Sequence, residues 1–130
     1  MADSVQPRLS SVRIFTADLA RSRGFYGKIL GLEEIQADPE EGFAIFRAAE
    51  GVMLMIETVE LEDEEAAEAL IGRFTGLGFA VPSLSESFAA LRAKGVRFDG
   101  LPERQPWGGF LAQCEDPDGN ILTLIEYPGE

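Results

Sequence analysis

A chain of 130 residues with 45% hydrophobic side chains can bury a core of its own and has the size of one compact domain. Its 23 Asp and Glu against 11 Lys and Arg leave a net charge of −12, a field that repels phosphate backbones and anionic bilayers, so nucleic acid and membrane surfaces are excluded as expected partners. With no histidine and a single cysteine, Cys114, an imidazole metal site, a Ser-His-Asp or Cys-His arrangement and an internal disulfide are all excluded.

Residues 1–10 lack the apolar stretch of a signal peptide, and no run approaches the roughly 20 apolar residues of a bilayer span, so a cytoplasmic location is expected. The first strand is predicted over residues 11–16. A helix follows, capped by Asp18 at its start and by a left-handed turn at Gly31. Three more strand-like runs, residues 32–36, 43–48 and 52–58, complete a β-α-β-β-β order. Next comes an acidic stretch with Glu60, Glu62, Asp63, Glu64, Glu65 and Glu68. Acids at the head of a short helix suit its dipole, so this stretch reads as a solvated connector.

The same order then repeats. A strand over residues 76–81 leads into Ser83-Leu84-Ser85-Glu86, a capping box, with Gly95 at the helix end. Strands over 96–98, 109–115 and 121–126 follow, the last two joined by Asp116-Pro117-Asp118-Gly119-Asn120, strong turn chemistry. Leu19 maps to Leu84 and Ser22 to Ser87 at one constant offset, half the length of the chain. This is an internal duplication, and two paired copies of a small unit can enclose a cavity. The expected fold is α+β within one domain spanning residues 1–130: module one over about 9–58, the connector over about 59–75, and module two over about 76–128.

The run with Asp18-Leu19, Ser22, Phe25-Tyr26 and Leu30-Gly31-Leu32 resembles the first module of the vicinal oxygen chelate superfamily, which groups glyoxalases, extradiol dioxygenases and bleomycin resistance proteins. Residues 78–96 resemble its second module, and Pro106-Trp107-Gly108-Gly109-Phe110 with Asp116-Pro117-Asp118-Gly119-Asn120 resembles its closing hairpin. The resemblance implies two βαβββ modules forming a cup-shaped, partly open mixed sheet with helices outside. It also implies a homodimer, with the modules pairing either within one chain or across two. Catalytic members hold a divalent ion on four side chains of the cup. Carried over, those positions are Ser11, Met55 (or, with a shift of two, Glu57), Gly76 and Thr123. None of the first-choice positions carries a strong ligand, so no metal or other cofactor is expected.

Strand alternation gives the cup without the family. One set of positions, including Ile14, Leu54, Ile56, Phe79, Leu122 and Leu124, is uniformly apolar and should pack beneath the helices. The opposite, mixed set should line the cup: Arg13, Phe15, Met53, Met55, Glu57, Gly76, Gly78 and Thr123 are its candidate ligand-binding residues. The glycines leave room and the methionines adapt to irregular shapes, although the same residues would also fill a small closed core. Arg13 and Glu57 are expected to pair, to meet a polar ligand group or to sit in water at the rim. Trp107 joins the candidates as a stacking platform at the mouth, or else packs on the core. Cys114, Phe25 and Tyr26 are read as core. The function implied is a small-molecule-binding protein of the bleomycin resistance type, taking an apolar, aromatic or cationic ligand without metal. The alternatives are a glyoxalase-, lyase- or dioxygenase-like enzyme with an atypical metal site or with Glu57 as a metal-free base, and an accessory domain with a vestigial cup.

Overall fold

The computed structural model describes residues 5–60 and 62–129. The expectations placed on residues 1–4, 61 and 130 lie outside that range. Among the described residues, nine strands form two mixed sheets that do not close into a barrel, accompanied by three α-helices. Strand β1 (Ser11–Thr16) leads to α1 (Leu19–Gly24), which continues as a π-helical turn over Phe25–Ile29. Then come β2 (Glu33–Asp38), β3 (Phe43–Ala49) and β4 (Val52–Thr58). The connector folds as α2 (Glu64–Leu70), capped by Asp63, whose carboxylate accepts from the Ala66 N–H.

The second half repeats the pattern: β5 (Phe74–Ala80), α3 (Leu84–Ala93), β6 (Arg97–Phe98), β8 (Phe110–Glu115) and β9 (Ile121–Glu126). A short β7 (Glu103–Arg104), which the sequence did not signal, pairs with β8. The first sheet runs β1-β4-β3-β2 and the second β5-β9-β8-β6. In each, the first strand lies parallel to the last and forms a sheet edge, as a duplicated unit requires.

The helix boundaries follow the capping chemistry. Asp18 accepts from Arg21 N–H and Ser83 from Glu86 N–H, and Gly31 and Gly95 take positive φ of 81° and 88° just past their helices. The start of β5 departs from expectation: pairing with β9 begins at Phe74, and Gly76 (φ 76°) bulges out of register. Thr75 holds the bulge, its hydroxyl donating to the Ile121 carbonyl and accepting from Leu77 N–H.

Helix α1 packs on β3 and β4, and α3 on β8 and β9. The apolar set of strand positions lies under them as alternation requires, with Ile14, Leu54, Ile56, Leu122 and Leu124 all at 2% exposure or less. Phe25, Tyr26 and Phe46 from the first half join Leu84, Leu91, Val96 and Cys114 from the second in one continuous core. Burial of this apolar surface is the main stabilising contribution to both halves together.

Candidate functional site

The first sheet gathers five of the candidate residues on the face away from α1. In the β1–β4 register Ser11 lies beside Met53, Arg13 beside Met55 and Phe15 beside Glu57, while Ile45 of β3 flanks Met55 on the other side. Arg13 Nε stands 3.3 Å from Glu57 Oε1, a diagonal pair whose side chains are 61% and 29% exposed. The two therefore pair with each other, and water screens the interaction to about 0–1 kcal/mol. Phe15, Met53 and Met55 are half-buried and make an apolar floor around that pair.

The second sheet offers a different surface. Thr123 lies between Gly78 and Gln113. The room expected above Gly78 is taken: a Cβ there would stand 2.7 Å from Ile125 Cδ1, so the isoleucine side chain occupies the space that the glycine leaves. Gly76, out in its bulge, does not sit in register with β9. Trp107 is not a core residue. It is 47% exposed, and its ring lies 5.8 Å from that of Tyr127, itself 60% exposed, giving an aromatic pair at the end of this sheet.

The four positions taken over from the metal enzymes thus hold two hydroxyls, a thioether and a bare backbone (Ser11, Thr123, Met55 and Gly76), a donor set that does not fit a divalent ion. Among the described residues, no three His, Cys, Asp or Glu side chains converge. β1 and β5 each end a sheet and do not pair with one another, so the two mixed faces are not joined edge to edge. The largest described cavity, about 630 Å³, opens between the modules and takes in Gly78, but none of the other eight candidates.

Several residues of consequence were not singled out from the sequence. The closing turn, read there only as a turn, clamps the second half to the first. Tyr26 donates its hydroxyl hydrogen to Asp116 Oδ2 at 2.7 Å, and Asp116 also accepts from the N–H groups of Asp118 and Asn120 and from Asn120 Nδ2. Asn120 in turn donates to the Phe15 carbonyl at the free edge of β1 and accepts from Gly72 N–H. Asp118 accepts from the Thr16 hydroxyl, from Ala17 N–H at 2.9 Å and from Arg21 at 3.3 Å. Glu126 caps α3 by accepting from Leu84 N–H at 2.7 Å. Burial first, and then the neighbouring Asp116 carboxylate, push the Tyr26 hydroxyl far above its ordinary pKa. Burial, then Asp116 and Glu115, raise the Cys114 thiol to about 12, so it is no nucleophile near neutral pH.

A duplicated β-α-β-β-β unit, with first and last strands parallel and helices covering one face of each sheet, defines a class of small α+β proteins. A profile of the Glyoxalase/Bleomycin resistance protein/Dioxygenase superfamily matches residues 8–124, and the chain belongs to that superfamily. No curated protein matches it. Among solved structures, a member of the superfamily from Sphaerobacter thermophilus is similar at 26% identity and a TM-score of 0.74, over 92% of this chain and 97% of that one. TnmS3, an antibiotic binding protein from Streptomyces sp. CB03234, shares the fold at 23% identity and a TM-score of 0.76, over 97% and 99%. Lactoylglutathione lyase from Agrobacterium tumefaciens shares it at 18% and 0.70, over 95% and 96%.

Proposed function

We propose that this chain is a metal-independent small-molecule-binding protein of the bleomycin resistance type, sequestering an apolar, aromatic or cationic ligand in a cup lined by both modules. The observation that carries this reading is the donor set: Ser11, Met55, Gly76 and Thr123 stand where the superfamily's enzymes place metal ligands, and the nearest carboxylate, Glu57, is engaged by Arg13. Without a metal, selection falls to shape and apolar contact from Phe15, Met53 and Met55, with Trp107 and Tyr127 offering aromatic faces at the end of the second sheet. The net charge of −12 steers a cationic guest by its long-range field. Likeness of fold to an antibiotic binding protein is in keeping with this reading. The cup is completed between two copies. Among the described residues no strand covers the outer edge of β5 or that of β1, which is held only at its end where Asn120 bonds the Phe15 carbonyl, and a homodimer that sets β1 of one copy beside β5 of the other covers the remaining edges and joins the mixed faces.

The test is a thermal-shift screen with bleomycin as the cationic glycopeptide and acridine as the planar aromatic. A stabilising ligand should be recovered chemically intact and should lose its effect in Met55→Trp, which crowds the floor. Purified protein should carry well below one equivalent of transition metal, and a chelator should leave its melting temperature unchanged. A stoichiometric, tightly held metal ion, or turnover of the ligand, would overturn the proposal.

A further inference from the structure

The cavity of about 630 Å³ between the modules lies within the size range of small-molecule sites and shares only Gly78 with the candidate cup residues. Its walls are mostly apolar. Ile29, Leu30 and Leu32, at and just beyond the end of the α1 segment, face Phe79 of β5 and Leu91 of α3, and Leu124 closes the deep end. Leu91 and Leu124 belong to the buried core, so the opening reaches from solvent to the interior. Along α3, Ser87, Ala90, Leu91 and Lys94 recur at helical spacing and present one stripe to this space. Lys94 is the single charged residue of the lining, and it joins no ion pair among the described residues.

We propose that this cleft is a second binding site, taking an apolar molecule that carries one carboxylate. The tail lies against the leucine and isoleucine walls, and the head pairs with the Lys94 ammonium. An unpaired cation at the mouth of an apolar cleft complements an anionic head, because a charge-assisted contact there replaces water on the ammonium while the tail is desolvated. Lys94 also lines a smaller cavity with Glu115 and Asp116, neither of which forms an ion pair with it, and repulsion from acids farther off is screened beyond about 8 Å at physiological ionic strength. The site goes beyond the cup proposed above and shares with it only Gly78 of β5, the strand whose edge the proposed dimer covers.

Titration calorimetry with decanoate, and with decanol as its uncharged counterpart, tests the assignment. The intact protein should bind decanoate saturably, one per chain. Lys94→Met should weaken decanoate about tenfold or more and change decanol about twofold or less, the loss expected for one charge-assisted contact. Ala90→Trp, on the exposed side of α3, should fill the cleft and abolish both while far-ultraviolet circular dichroism stays native. Met55→Trp, in the cup, should leave both unchanged. Three results would each sink the proposal: no decanoate binding by the intact protein, unchanged decanoate affinity in Lys94→Met or Ala90→Trp, or loss of decanoate in Met55→Trp. None of them bears on the metal content or the glycopeptide binding by which the cup is judged.

Discussion

The Tyr26 hydroxyl, on the π-helical turn of the first half, donates to Asp116 Oδ2 of the closing turn in the second half at 2.7 Å, across 90 positions of sequence. Both residues are buried, Tyr26 completely, so the bond joins the halves where water cannot substitute for it. Tyr26→Phe should lower the unfolding free energy by about 1–3 kcal/mol, the usual cost of leaving a buried acceptor short of its donor. Asp118→Ala, which removes contacts to Thr16, Ala17 and Arg21, should cost at least as much. Urea unfolding of each variant decides. Midpoints equal to wild type would mean that the two halves hold together through apolar contact alone.

Cys114 should behave as a buried hydrophobe. A thiol reagent at pH 8 should fail to label the native protein and should label it fully in denaturant. The pH dependence has a definite sign. The folded thiol keeps its proton up to about 12, whereas an exposed thiol in the unfolded chain ionises near 8.5, so this residue's contribution is complete below about pH 8 and is lost progressively as pH rises toward 12. Melting curves of wild type and Cys114→Ala between pH 7 and about pH 10.5 test it: the variant lacks this component of the alkaline decline. Equal slopes for the two proteins would contradict the assignment.

Gly109 is buried beneath the Trp107 ring, and a Cβ there would overlap both that ring and the Glu126 carbonyl. Gly109→Ala should expel the indole from its place beside Tyr127. Tryptophan emission reads this directly, because Trp107 is the chain's one tryptophan. A red shift is expected, together with weaker binding of any aromatic ligand that stacks on the pair. An unshifted spectrum would show that the ring finds the same site without the glycine.

How far the chain could be read follows from where each signal resides. Both helices begin at the leucines that the repeat aligned, Leu19 and Leu84, because a capping side chain and its N–H partner lie three residues apart and leave a local mark. The two faces of the strands were equally legible, since alternation is a property of neighbours in sequence. Three features were not. The Gly76 bulge depends on Thr75 reaching the Ile121 carbonyl, the space over Gly78 on Ile125, and the role of Asp116-Pro117-Asp118-Gly119-Asn120 on Tyr26, Thr16 and Phe15 far up the chain.

By itself, then, the sequence determined the duplicated α+β order and the apolar and mixed faces of the strands. Those properties are written in residue type and short-range spacing. Only the tertiary structure decided that Arg13 pairs with Glu57, that the turn at Asp116 is a clamp between halves, and that an opening of about 630 Å³ lies beside α3. Each of these depends on which distant side chains the folded backbone brings within a few ångströms, and no local pattern encodes that distance.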